Sequence, residues 1–292
     1  MSISVAIVIP THDRLQTLNI LLGQLKTQEN IQCRFQIIII ADSDDPLYSE
    51  KLIKDHPEII TINGTGNWWF TRSVNEGIKK AQTLQVSHIL ILNDDCEIDN
   101  DYLHKVTTAV ETYPDSITGS ICFNNEKRNM LIFSGIKEIK WHRYKQVLYH
   151  PKFSSPNETL SGLHPSKALH ARGMMIPLSV IDQLGYFDEK FIQYTSDYEY
   201  CYRAIKKNIS VYISWDSKVY DNISFTSTSM SHIKKNISSF CLSFFDKRSL
   251  NYLPSILRII MRNTFWMFWP MAFVFFIGGS VRGNFYKLKD RP

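Results

Sequence analysis

Three apolar runs, each closing on acidic or polar residues, constrain this chain more than any other feature of its sequence. "ISVAIVIP" (3–10), "FQIIIIAD" (35–42) and "HILILND" (88–94) are continuous, largely β-branched stretches of strand length. A strand apolar on both faces belongs in a sheet covered on both sides, and such sheets are mainly parallel. Between the runs, Leu15, Leu18, Leu21, Leu22 and Leu25 recur at helical spacing, and Val74, Ile78 and Ala81 repeat it more sparsely. This alternation predicts a doubly wound α/β domain, in which ligands bind beyond the carboxyl ends of the strands. The runs end in Thr11, His12 and Asp13, then Asp42, Ser43, Asp44 and Asp45, then Asn93, Asp94 and Asp95. These ends are expected to converge on one crevice.

After about residue 117 the alternation weakens. "MLIFSGIKEIKW" (130–141) predicts one antiparallel strand, 142–166 a loop or insertion, and "ALHARGMMIP" (168–177) a further strand-like run. "DYEYCYRAIKKN" (197–208) reads as a short helix and "ISVYISWDSKVYDN" (209–222) as strand and turn. A helix beginning near Tyr102 would take Asp99 as its cap. From His232 the chain reads as helical and aromatic. The boundary between the α/β domain and this segment is placed at 225/226.

Charge separates the same two parts. Residues 226–292 carry 10 Lys/Arg against 2 Asp/Glu, and the first 225 carry 23 against 26. The acidic part is a poor nucleic-acid surface. In the tail, "NTFWMFWPMAFVFFIGGSVRG" (263–283) has seven aromatics between Phe265 and Phe276. Arg258 and Arg262 precede it, and Arg282, Lys287, Lys289 and Arg291 follow. Apolar residues between cations suit attachment to a membrane surface rather than to nucleic acid. Packing in a homodimer or against the core is the alternative. Pro270 and Gly278–Gly279 interrupt the run, which barely reaches spanning length. The five cysteines form no Cys-x-x-Cys pair, which argues against a zinc site or disulfide framework and for a reducing compartment. "MSISVAIVIPTHDR" reads as a first strand rather than a signal peptide, so a cytoplasmic location is expected.

Adjacent carboxylates at a strand end repel each other unless a cation joins them. Mg²⁺ or Mn²⁺ prefers oxygen ligands and is often held by one or two carboxylates plus substrate phosphates. Asp94 and Asp95 suit that role; a solvated turn is the alternative. In "GTGNWWFTRSVNEG" (64–77), two glycines permit a tight turn before a helix that Thr71 or Ser73 would cap. The amino end of that helix would attract phosphate, and Arg72 would add charge against a diphosphate. Trp68 and Trp69 are candidates for stacking on a sugar or base, or for the core.

"VAIVIPTHDR", "IIIIADSDD", "GTGNWWFTRSVNEGIKKA", "ILILNDDCEI" and "GMMIPLSVIDQLGYFDEKFIQYTSDYEYCYRAIKKN", in this order over residues 3–225, resemble a family 2 glycosyltransferase of the bacterial O-antigen or capsule type. The resemblance implies a GT-A fold: a Rossmann-like, mostly parallel sheet with flanking helices. It also implies a nucleotide-sugar donor, a glycan or lipid-linked glycan acceptor, a divalent cation and inversion at the anomeric carbon by a hexosyl- or deoxyhexosyltransferase. Asn93, Asp94 and Asp95 fill the family's Asp-x-Asp position, with Asp95 the direct metal ligand and Asn93 facing the donor ribose. Asp42 matches the residue that contacts the base, and Pro10, Thr11 and Arg14 match the first nucleotide-binding turn. Helix capping is the other reading of Thr11 and Asp13. The loop bearing Trp68 and Trp69 would face donor and acceptor. Asp221 stands where a third metal ligand, often histidine, is found; His232 lies farther on.

Transfer to a hydroxyl also needs a carboxylate outside the metal site as general base. Asp197 in "YTSDYEYCYRA" takes the family's base position, although Ser196 replaces the usual glutamate before it. Ser196 and Glu199 also fit a capping box. Asp188 is the reserve base, and Arg203 is expected to pair with a nearby carboxylate. One rival reading is a sugar nucleotidyltransferase, but "PTHDRLQT" lacks the glycine-rich loop that it requires. A non-catalytic sugar- or lipid-binding relative is the other.

Overall fold

The three apolar runs lie side by side. In the computed structural model, which describes residues 3–221 and 237–285, β1 (Ser4–Thr11) pairs in parallel with β2 (Arg34–Ala41) on one side and β4 (His88–Ile91) on the other. β3 (Ile60–Asn63) extends this parallel half beyond β2. Helices α1 (Leu15–Lys26), α2 (Pro46–Asp55) and α3 (Trp69–Gln82) make the crossovers. Val5–Ile9, Ile38–Ile40 and Ile89–Leu92 are fully buried, as are Leu18, Leu21 and Leu25 of α1. Each such Val, Leu or Ile side chain contributes about 1.5–3 kcal/mol.

The other half of the sheet is mixed. β11 (Met174–Pro177) runs antiparallel between β4 and β6 (Ile117–Asn124), and β12 (Val211–Asp221) is parallel to β6. β5 (Cys96–Ile98) and β10 (Leu163–Pro165) pair antiparallel with β12, and β7 (Leu131–Phe133) pairs with β6. The full order is β10-β12-β6-β11-β4-β1-β2-β3. Helices α4 (Tyr102–Thr112), α5 (Leu178–Leu184) and α6 (Ser196–Lys206) complete the layers.

Several local expectations are corrected. The strand expected over 130–141 is two, β7 and β8 (Ile136–Lys140), parted at Gly135 with φ +92°. The supposed loop at 142–166 contains β9 (Lys145–Leu148), which pairs with β8, and also β10. β6 carries no obvious apolar signal because Thr118, Gly119 and Ser120 dilute it; all eight residues are nevertheless buried. Ser120 is satisfied by the Tyr102 hydroxyl at 2.9 Å and the Gly173 carbonyl at 3.1 Å. Asp99 does not cap α4 through its side chain. Its backbone carbonyl accepts from the Tyr102 N–H, and its carboxylate accepts from the Tyr220 hydroxyl at 3.1 Å.

The tail begins with α7 (Ile237–Ser243), and α8 (Leu253–Asn263) is seated against the α/β domain. Ile259 joins the main core, and Ile256 and Ile260 pack with Ala272 and Phe276 of α9 (Trp269–Phe285). Among the described residues no helix is long and apolar enough to cross a membrane. His232, Lys287, Lys289 and Arg291 lie outside the described residues.

His88 opens β4 with only 8% of its surface exposed, and burial lowers its pKa from 6.5 to about 4. Above pH 6.5 the imidazole is neutral in both folded and unfolded chains. Below that, the unfolded chain takes up a proton that the folded one refuses until about pH 4, so stability falls as pH drops through this window. In urea denaturation, His88→Asn is expected to remove up to ~3 kcal/mol of the loss between these limits.

Candidate active site

The site begins where the ladder between β1 and β4 stops. Its last Cα pair is Val8↔Ile91, two residues before Pro10, which has no N–H to extend it. Thr11 and Asp94 face each other across the resulting gap. The Thr11 hydroxyl donates to Asp94 Oδ2 at 2.7 Å and shares a 2.7 Å hydrogen bond with the Tyr48 hydroxyl. Thr11 is therefore committed to the crevice, and α1 starts without a side-chain cap. Asp13 accepts from the Ser43 hydroxyl at 2.5 Å. Arg14 reaches both acids, 3.3 Å from Asp94 Oδ1 and 2.8 Å from Asp95 Oδ2. Burial and the adjoining Asp95 hold the Asp94 carboxyl well above the ordinary carboxylate range, against the pull of Arg14.

Asp221 comes to the same place through sheet register. β12 pairs with β5 so that Asp221 lies opposite Cys96, the residue after Asp95. Asp221 Oδ2 lies 3.4 Å from Arg172 Nη1. Burial raises its pKa, with Arg172 opposing and Asp95 reinforcing the shift. Sequence reasoning missed Arg172. Its signal, a lone cation in "LHARGMMIP" just before a strand, is legible only once β11 is known to run antiparallel. Tyr48 was missed because it lies in the first turn of α2, just past the polar end of β2, where nothing local marks its side chain as turned toward Thr11.

Three carboxylates here face two guanidinium groups, so full ionisation would leave negative charge in a buried place, in keeping with the raised pKa of Asp94 and Asp221. Asp95 Oδ1, Asp221 Oδ1 and Asn93 Oδ1 are buried and have no hydrogen-bond partner. Unsatisfied buried oxygens of this kind are costly, and hard-cation coordination satisfies them. The unpartnered oxygens of Asp95 and Asp221 are of the type that Mg²⁺ or Mn²⁺ prefers, although among the described residues no group of three or more His, Cys, Asp or Glu side chains is gathered to hold a metal ion by itself.

The aromatic turn is organised differently from its sequence reading. Asp42 is buried, and its carboxylate accepts from three amides: Thr65 N at 3.2 Å, Trp68 N at 2.9 Å and Trp69 N at 2.9 Å. It therefore caps α3 from the end of β2. The first amides of that helix are occupied by a carboxylate rather than left for phosphate. Thr71 and Ser73 are not caps; the Thr71 hydroxyl donates to the Phe191 carbonyl. Arg72 lies 5.1 Å from the Trp68 ring centroid. Trp69 has φ +60°, a conformation that an aromatic residue holds only under tertiary constraint.

Asp197 stands in the first turn of α6, half-buried. Its Oδ2 accepts from Ala171 N at 3.1 Å and its Oδ1 from Tyr198 N at 2.9 Å. Burial raises its pKa despite these two amides, which makes it a stronger base. The capping box is absent. Ser196 Oγ has no partner, and Glu199 binds Arg203 at 3.0 Å and Arg262 at 3.1 Å. Asp188 pairs with Arg262 at 2.8 Å. Burial works against its charge, but the Lys190 amide and Arg262 prevail and lower its pKa, which makes it unsuitable as a base. The segment 170–172 joins the two halves of the site, since Ala171 holds Asp197 and Arg172 holds Asp221.

Asp42→Asn leaves one acceptor oxygen for three amides and turns an NH₂ toward them. It is expected to cost about 1–3 kcal/mol in denaturant unfolding and to speed proteolysis within 64–69.

The profile described as "Glycosyl transferase family 2" matches residues 6–168. The chain is 25% identical over 206 residues to the low-salt glycan biosynthesis hexosyltransferase of Haloferax volcanii, covering 68% of this chain and 64% of that protein. It is 22% identical over 261 residues to dTDP-rhamnosyl transferase RfbF of Shigella flexneri, covering 87% and 82%. The crystal structure of GalNAc-T7 with UDP, GalNAc and Mn2+ superposes with a TM-score of 0.60 at 14% identity, over 76% of this chain and 43% of that one. The crystal structure of S. aureus TarS does so at 0.55 and 13%, over 99% and 46%. At such identities the likeness is one of fold, and that fold is GT-A. With a family match over more than half its length, laid on the sheet that the family uses, the chain belongs to glycosyl transferase family 2.

Proposed function

We propose that this protein transfers a hexosyl or deoxyhexosyl group, with inversion, from a nucleotide-diphosphate sugar to a hydroxyl of a lipid-linked glycan at the cytoplasmic face of a membrane. The observation that carries the reading is the pair of partnerless carboxylate oxygens, Asp95 Oδ1 and Asp221 Oδ1, at one sheet mouth. They would hold a Mg²⁺ or Mn²⁺ ion, which supplies Lewis-acid neutralisation of the leaving diphosphate.

The chain's own residues do the rest. Asn93 Oδ1 is free to accept from a ribose hydroxyl, and Thr11 fixes the orientation of Asp94. Arg14 bridges Asp94 and Asp95 through Nη1, and its partly exposed guanidinium would also reach a donor phosphate. Asp42 holds the aromatic turn in shape, so Trp68 would meet the sugar or base as a fixed surface, while the Trp69 ring lies against Lys247 and Arg248. Asp197 takes the proton of the acceptor hydroxyl at a carboxylate oxygen. Its two backbone hydrogen bonds set its direction, and burial sets its basicity. A single base and a leaving group, without a protein nucleophile, suit direct displacement and hence inversion.

Membrane attachment is supported by the turn before α9. Phe265, Trp266 and Met267 expose 62%, 65% and 57% of their surfaces, an unusual density of apolar side chains in one turn. The comparison proteins named for hexosyl and rhamnosyl transfer make dTDP-rhamnose the first donor to try in a nucleotide-sugar panel.

Asp197→Asn is expected to lower transfer or donor hydrolysis by roughly 10²–10⁴-fold while calorimetry finds donor binding intact. Asp95→Asn is expected to abolish the Mn²⁺-dependent part of donor affinity, as a chelator would. Donor affinity indifferent to both chelator and Asp95→Asn would exclude the metal-held diphosphate.

A further inference from the structure

The connection between α7 and α8 returns over the aromatic turn. Lys247 Nζ lies 5.8 Å and the Arg248 guanidinium carbon 5.6 Å from the Trp69 ring centroid. Both cations are exposed, and among the described residues neither forms an ion pair. The adjacent Asp246 spends Oδ1 on the Arg248 backbone N–H at 2.9 Å. Lys247, Leu250 and Tyr252 line a small hollow with Gln193, Tyr194 and Thr195, the residues that lead into α6 and Asp197. Gln193 also accepts from the Phe70 amide at 3.2 Å, so Trp69 and the approach to the base are tied together.

Two unmatched cations over an aromatic face thus stand at the base side of the site. The acids that would organise a donor diphosphate, Asp94 and Asp95, are already paired with a different arginine, Arg14. Around the cations, Leu242, Phe245 and Leu250 expose 65%, 74% and 50% of their surfaces. Positive charge beside exposed apolar side chains matches an anion that carries a hydrocarbon chain.

We propose that Trp69, Lys247 and Arg248 form a subsite for the diphosphate of the lipid-linked acceptor. The inference rests on the lipid-linked reading above and assigns that acceptor's charged end to the tail. Its lipid would run over Leu242, Phe245 and Leu250 while its glycan reaches Asp197. The C-terminal segment then has a role in substrate binding as well as in attachment.

The test uses the full chain carrying Asp95→Asn, which removes metal-held diphosphate binding at the donor site. Farnesyl diphosphate, farnesol and inorganic pyrophosphate are titrated by calorimetry and Trp fluorescence. Vesicles of phosphatidylcholine with and without phosphatidylglycerol form a second arm. Farnesyl diphosphate is expected to bind best of the three, and its affinity to fall roughly ten- to hundredfold when Lys247→Ala and Arg248→Ala are added. Rising salt should weaken it as well. Equal affinity with and without the two added substitutions overturns the subsite and leaves the lipid-linked reading in place. No binding of farnesyl diphosphate in either protein overturns both. Loss of phosphatidylglycerol vesicle binding alone, with farnesyl diphosphate affinity unchanged, assigns the cations to the bilayer and also overturns the subsite.

Discussion

Everything around the active site depends on a buried balance of charge. Arg172 is tolerated inside the protein because Asp221 and Asp95 outweigh the cost of burying it. Those acids are tolerated because Arg172 and Arg14 face them. Removing one partner of a buried pair typically costs about 3–5 kcal/mol, since the other is left charged and alone. The cluster therefore holds β4, β11 and β12 in one relation at their shared edge. It still leaves one oxygen each of Asp95 and Asp221 without a hydrogen-bond partner, the remainder on which the proposed metal site rests.

The same economy of contacts ties Asp197, the proposed base, to the tail. Glu199 sits one half-turn beyond Asp197 on α6 and is gripped by Arg203 from its own helix and by Arg262 from α8. Arg262 also holds Asp188, and its carbonyl accepts from Lys206 at 2.6 Å. The helix that presents Asp197 is thus pinned from both ends. The α8 helix, although it belongs to the basic, aromatic tail, packs Ile259 into the main core.

Legibility in the sequence followed the kind of signal involved. The parallel half of the sheet was readable because β1, β2 and β4 are buried on both faces, which leaves no polar interruption. The polar strand ends were readable for the converse reason. α6 was placed within a residue or two, since its apolar face repeats at helical spacing. β6 was hidden because its small polar residues find partners on α4 and beside β11, remote in sequence. Capping went wrong at α1, α3, α4 and α6 for a single reason. At each of these helices a local candidate has a partner across the fold, as Thr11 has in Asp94, Thr71 in the Phe191 carbonyl, Asp99 in Tyr220 and Glu199 in Arg262, while Ser196 Oγ is left with none.

The sequence by itself determined the fold class, the polar edge of the sheet and the identity of most acids there, because hydrophobic period and strand-end polarity are local properties. Tertiary structure alone decided which of those acids meet. An antiparallel β11 sets Arg172 between Asp95 and Asp221, sheet register brings Asp221 beside Cys96, and a returning tail lays Lys247 and Arg248 on Trp69. Such meetings join residues tens to hundreds of positions apart, and they depend on strand order and register, which no window of sequence contains.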